Sequence, residues 1–212
     1  MSSYSEGQTH QLMEALQKEG FTSDDVTKLG QFKNLPRILD VLHGRAKIVD
    51  IEPGALKNEF LKLISPEPLV IGQTDGSEIL ADANDVFTGG IDKDFRNWKA
   101  DEPGAPTGET PVDVYEMTKD ATFAQMFGSL SSDVSRLCLT QAQIKRFVKK
   151  HRDWLRTENY ATFFLFKSYN QFFVAAVDFY SDGRLKVSVD RVEYSHVWNA
   201  EVRHRLAAPR LA

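Results

Sequence analysis

Three apolar runs, Tyr160–Lys167, Phe172–Tyr180 and Leu185–Tyr194, follow one another with only Ser168-Tyr169-Asn170-Gln171 and Ser181-Asp182-Gly183-Arg184 between them. Aromatic and β-branched runs broken by Asn- or Asp-Gly-containing turns build antiparallel hairpins, because those turn residues accept the positive φ that a tight connection needs. The spacing predicts a three-stranded antiparallel β-meander. Within the third run, Leu185, Val187 and Val189 occupy odd positions and Val192 and Tyr194 even ones. A period-two pattern changes face only if the strand slips, which predicts a β-bulge at Asp190-Arg191. Just upstream, Thr140 and Gln143 form a capping box that opens a helix over Gln141–Arg156. Ile144, Phe147, Val148, His151, Trp154 and Leu155 line one side of it. That side is expected to pack on the meander, so the fold class is α+β.

The first 65 residues read as a helical module. Leu12, Met13 and Leu16 form a stripe ended by Gly20, with Phe21 closing the C-cap; Thr22 or Ser23 caps a second helix that stops near Gly30. Pro36 suits the first turn of a third helix carrying Ile38, Leu39 and Leu42, and Ala55–Ile64 reads as a fourth. Residues 66–117 form an acidic, loop-rich middle in which Leu69–Gly72 and Glu78–Ala81 flank Asp75-Gly76 as a short hairpin. Pro103, Pro106 and Pro111 mark residues 99–113 as a loop and domain boundary. Residues 118–212 then make an α+β C-terminal domain, with Thr118–Leu130 as its first helix.

Charge is distributed unevenly around the net of −4. Residues 48–141 hold seven basic and seventeen acidic side chains; residues 142–212 hold thirteen basic and seven acidic. Such asymmetry suits either an anionic partner for the basic third or attraction between the two regions within one chain. Cys138 is the only cysteine, which excludes an internal disulfide and an all-cysteine metal site. The opening residues lack the basic start and apolar core of a signal peptide, and no run reaches the roughly 18 apolar residues of a membrane span. The expectation is a cytoplasmic protein without a membrane partner.

The segments Leu139-Thr140-Gln141-Ala142-Gln143-Ile144, Lys150-His151-Arg152-Asp153-Trp154-Leu155-Arg156-Thr157 and Tyr160-Ala161-Thr162-Phe163-Phe164-Leu165-Phe166-Lys167 resemble those of a group of uncharacterised bacterial proteins. The resemblance covers about the last ninety residues and, more loosely, the N-terminal helices. It implies no activity and carries over no functional residue.

Lys28, Lys33, Arg37, Arg45 and Lys47 stand against the single acid Asp40, and with Val26, Gly30 and Leu39 this stretch resembles phage-repressor-type helix-turn-helix segments. These five cations are the candidates for phosphate contacts, although Pro36, Asp24 and Asp25 depart from what a DNA-facing helix wants. The basic side of Gln141–Arg156, with Tyr160, Phe163 and Tyr169 nearby, offers a second nucleic-acid candidate; its alternative is a solvated face or one that meets the acidic middle. Glu193 with His196, and Glu201 with His204, are Glu-x-x-His pairs, the spacing that puts a carboxylate and an imidazole on one helix face for a metal. Asp75, Asp82, Asp85, Asp92 and Asp94 are spaced as a solvated loop, and Cys138 lies among apolar residues as an inert thiol. No nucleophile elbow, phosphate loop or dinucleotide fingerprint is present. The reading is a non-enzymatic binding or regulatory protein without a cofactor, acting on nucleic acid or another protein. The alternatives are a small metal-dependent enzyme centred on the C-terminal histidines, and a structural protein-interaction module.

Overall fold

A computed structural model describes residues 5–31, 35–46, 58–158 and 160–211, with the backbone alone at 35–37. The chain divides into two units, Met1–Asp50 and Ile51–Ala212.

Local capping chemistry sets the helices of the first unit. In α1 (Glu6–Lys18) the Ser5 hydroxyl accepts from the Gln8 amide and the Gln8 side chain returns the bond. Its far end is a Schellman closure: the Phe21 amide donates to the Leu16 carbonyl and the Gly20 amide to that of Gln17. Gly20 holds the φ of +85° that this closure requires. Thr22 and Asp25 make the same reciprocal cap on α2 (Ser23–Gly30), and α3 spans Leu35–Leu42. No residue of α1 or α2 is buried.

The second unit is built on one mixed sheet. Its strands are β1 (Leu61–Leu63), β2 (Leu69–Ile71), β3 (Gly90–Ile91), β4 (Thr110–Met117), β5 (Ala161–Ser168), β6 (Gln171–Phe179), β7 (Leu185–Arg191) and β8 (Arg205–Pro209). Their order is β1-β4-β8-β5-β6-β7-β3, with β2 beside the other half of β4. Only β5 with β8 and β3 with β7 run parallel. Tyr169 and Asn170, both at positive φ, make the two-residue turn between β5 and β6.

Each face of this sheet has its own core. Phe164, Phe166, Phe173, Ala175, Val187 and Val189 point to one side, where α6 (Gln141–Lys150) adds Ile144, Phe147 and Val148 and the 78–100 segment adds Leu80, Phe87 and Phe95. Phe163, Leu165, Val174, Ala176 and Leu206 point to the other, under Phe123, Met126 and Phe127 of α5 (Phe123–Leu130). A strand covered on both faces has no reason to alternate, which is why β5 reads as the unbroken run Phe163-Phe164-Leu165-Phe166. Each buried phenylalanine contributes about 1.5–3 kcal/mol by leaving water. Loops are tied to this frame by buried polar groups. The Ser168 hydroxyl donates to the Lys99 carbonyl at 2.8 Å and accepts from the Glu102 amide at 3.1 Å. The Gln141 side chain takes the Leu80 amide and donates to the Glu102 carbonyl, both at 2.9 Å.

Several expectations need correcting. The protein is α+β, but the three-stranded sheet is overturned: β5, β6 and β7 belong to an eight-stranded sheet whose other members lie far away in sequence. β2 pairs with β4 instead of forming a hairpin with residues 78–81, where Leu80–Asp82 is a 3-10 turn. Leu61–Leu63 is a strand, not the end of a helix; the rest of that expected helix, residues 55–57, lies outside the described residues. No bulge occurs at Asp190-Arg191, because β7 ends there and Val192 turns into the second core. α5 starts at Phe123, five residues later than expected, behind the Thr122 cap. α6 ends at Lys150, not Arg156: His151 leaves helical geometry at φ −117° and ψ 42°. Residues 99–113 are no boundary, since β4 begins inside them and joins the acidic middle to the C-terminal strands; the division falls at residue 50.

Candidate functional site: an apolar groove and two charged faces

The cations of α6 are engaged by the chain's own middle region. Lys145 Nζ lies 2.5 Å from Glu78 Oε1 and 3.1 Å from Asp85 Oδ1, and Lys149 reaches Asp85 at 3.4 Å. Arg146 donates to the Gln73 carbonyl, while Lys150 Nζ and His151 Nε2 meet the Val70 carbonyl at 2.9 and 3.0 Å. Burial works against the Lys145 charge, yet hydrogen bonds to Glu78 and Asp85 outweigh it and raise its pKa. The Lys145 hydrogen bond likewise holds Asp85 below the usual carboxylate range. Of the aromatics that might have stacked bases beside this helix, Phe163 is fully buried and Tyr160 lies under Arg156. Tyr169 is exposed, but in the β5–β6 turn.

The C-terminal Glu and His residues are scattered. His204 is buried, its ring 5.1 Å from those of Phe163 and Trp198, with Nδ1 3.2 Å from the Ala161 amide. Burial pushes its pKa below the ordinary value. His196 meets the same Trp198 ring edge-on at 4.8 Å and is stacked on Tyr194. Glu193 is exposed 3.9 Å from Arg191, and Glu201 is exposed in the 3-10 turn Ala200–Val202. Among the described residues no three His, Cys, Asp or Glu side chains gather where they could hold a metal ion. Cys138 is half-buried and its thiol is pushed up to about 12, chiefly by burial, so the nucleophilic thiolate is suppressed. The loop acids are dispersed too: Asp75 caps its own turn at Ser77, Asp82 pairs with Arg96, and Asp92 accepts from the Asp94 amide.

The N-terminal unit differs from both regions. Glu19, Phe21, Asp25, Lys28, Leu29 and Ile38 surround a groove of about 530 Å3 between its helices. Of the predicted phosphate contacts, Lys28 is exposed on the rim of this groove. Arg45 is held by Asp40 at 2.9 Å and by His43 at 2.7 Å. Lys33 and Lys47, and the Arg37 side chain, lie outside the described residues. Gly30 ends α2 without the positive φ of a turn glycine. The sequence places Leu12 and Met13 on an apolar stripe, Phe21 at a C-cap and Leu39 and Leu42 on a third helix, and all five are exposed. The available signal was length: helices of thirteen, eight and eight residues have little interior to bury them in.

No helix among the described residues is long and apolar enough to cross a membrane. No family model matches the chain, and neither a curated protein nor a solved structure is found to be similar to it.

Proposed function

We propose that this is a cytoplasmic, non-enzymatic binding protein whose N-terminal helical unit receives an amphipathic helix of a protein partner, with the sheet-based unit as its stable support. The observation that carries this reading is the apolar groove lined by Phe21, Leu29 and Ile38 on a unit that leaves five large apolar side chains exposed. Grooves of this kind bind helices through apolar anchors spaced three and four residues apart. The basic helix supports the same choice indirectly, because Glu78, Asp85 and backbone carbonyls already engage its cations.

Fluorescence anisotropy of a labelled amphipathic Leu/Ala/Lys/Glu peptide, titrated with the full chain, tests the reading. Binding is expected, weakened about tenfold or more by Leu29→Asp or Ile38→Asp with the far-ultraviolet spectrum intact. A salt-sensitive shift of random duplex DNA that disappears in Lys28→Glu, together with no peptide binding, would replace it with the nucleic-acid reading.

A further inference from the structure

We propose that Arg156 and Arg205, at one end of the sheet, form a receptor for the oxygens of a phosphate monoester. The site lies wholly within the second unit, so its failure would leave the groove reading untouched. Glu116, Arg205 and Thr162 stand in register across β4, β8 and β5. Arg205 Nη1 donates to the Leu155 carbonyl at 3.2 Å, and the Arg156 amide donates to the Thr162 hydroxyl at 2.7 Å, which brings the two arginines together. The Arg156 side chain is only 18% exposed; its Nε donates to the Val202 carbonyl at 3.0 Å and its guanidinium lies over the Tyr160 ring. Arg205 is half-buried.

Both guanidiniums are short of counter-charge. Glu158 is 72% exposed and reaches Arg156 Nη2 only at 3.4 Å. Glu116 acts on Arg205 through its charge, without a hydrogen bond, while burial and the neighbouring Arg156 work against the Arg205 cation. The telling atom is Arg205 Nε, which is buried and finds no hydrogen-bond partner among the described residues. Nε and Nη2 make up the edge with which a guanidinium grips two oxygens of one oxyanion. Arg210 uses that edge on Asp113, with both bonds at 2.9 Å. On Arg205 no described residue occupies it, in a setting where an unmade bond to a charged group is costly. Two guanidiniums with one weak counter-ion suit a doubly charged phosphate better than a single carboxylate. The backbone is bent around them: Glu158 and Arg203 hold φ of +65° and +53°, values that residues with a side chain seldom adopt and that concentrate at ligand sites.

Titration of the isotopically labelled full chain with inorganic phosphate, followed through the arginine Nε–Hε resonances at constant ionic strength, tests the site. The Arg156 and Arg205 signals should shift together and saturate, and chloride should leave them unmoved. Arg205→Lys keeps the charge but loses the fork, and should weaken binding about tenfold or more. Lys149→Gln, on α6, should not weaken it. Thermal unfolding separates a ligand site from a structural arginine: phosphate should raise the midpoint of the parent chain but not that of Arg205→Met, each read against its own phosphate-free value. A phosphoserine peptide and glycerol 3-phosphate then distinguish the source, since tighter binding of the first points to a modified protein and of the second to a small metabolite. Phosphate binding with neither ester bound would mean an adventitious ion only and overturn the proposal. Resonances that phosphate leaves unmoved would overturn it too, as would binding that Lys149→Gln weakens as much as Arg205→Lys, or a phosphate increment that survives in Arg205→Met.

Discussion

His204 sits where a charge is unwelcome. It is 7% exposed, ringed by Tyr160, Phe163 and Trp198, and accepts the Ala161 amide at Nδ1. Burial lowers its pKa from 6.5; the Ala161 carbonyl, 3.4 Å from Nδ1, opposes this by favouring a protonated ring, and the nearby Arg156 charge adds to the lowering. The folded protein therefore keeps the imidazole neutral at pH values where the unfolded chain has already taken up the proton. Stability is constant with respect to this group above 6.5 and falls as the pH drops from there toward the folded value, at up to about 1.4 kcal/mol per pH unit. Asp178 and Asp190 work in the opposite sense and lower down. Burial raises both above 3.8, so acidification in that range relieves a cost. The melting temperature should decline between about pH 7.5 and 5.5. In His204→Phe it should start lower, because the Ala161 amide loses its acceptor, but stay nearly flat over the same interval. A slope that survives the substitution would place the acid sensitivity at another group.

The two ends of α6 show what a sequence can and cannot reveal about an element. Its start was legible because the capping box is local: the Thr140 hydroxyl accepts from the Gln143 amide at 3.2 Å, and Gln143 Oε1 accepts from the Thr140 amide at 2.8 Å. Its end was not, because Lys150 and His151 both turn to the carbonyl of Val70, some eighty residues away. β5, β6 and β7 were legible in outline through their short turns. β4 was hidden because its partners are Leu61–Leu63, Leu69–Ile71 and Arg205–Pro209, none of them adjacent in sequence. Of the candidate site, only the cation Lys28 on the groove's rim was anticipated. The apolar residues facing the groove obey the same helical spacing as a core, and periodicity does not distinguish a face covered by its own chain from one left open. The local element makes the sharper prediction. Thr140→Ala should cost about 1 kcal/mol in urea unfolding, and Thr140→Ser only a fraction of that. Equal losses in both variants would mean that the methyl group, not the cap, is what matters there.

At the level of the whole molecule, apolar burial is divided unevenly between the two units. Every buried apolar side chain among the described residues lies between Leu61 and Ala208. The N-terminal helices contribute none of it, and their order depends on reciprocal caps and a Schellman closure. Caps contribute about 1 kcal/mol each, whereas isolated helices shorter than roughly 12–15 residues are marginal in water. Removing residues 1–50 should therefore leave a chain that unfolds in one cooperative transition, within a few degrees of the full-length midpoint (about 2–4 °C per kcal/mol lost at this size). Near-ultraviolet circular dichroism, dominated by Trp98, Trp154 and Trp198, should also survive the deletion, since all three pack within the remaining unit. Residues 1–50 alone should show little helix by far-ultraviolet circular dichroism, because helices this short bury too little to hold themselves in water. If the shortened chain melts broadly or loses its near-ultraviolet signal, the sheet-based unit needs the N-terminal helices for its own stability, and this division of roles is wrong.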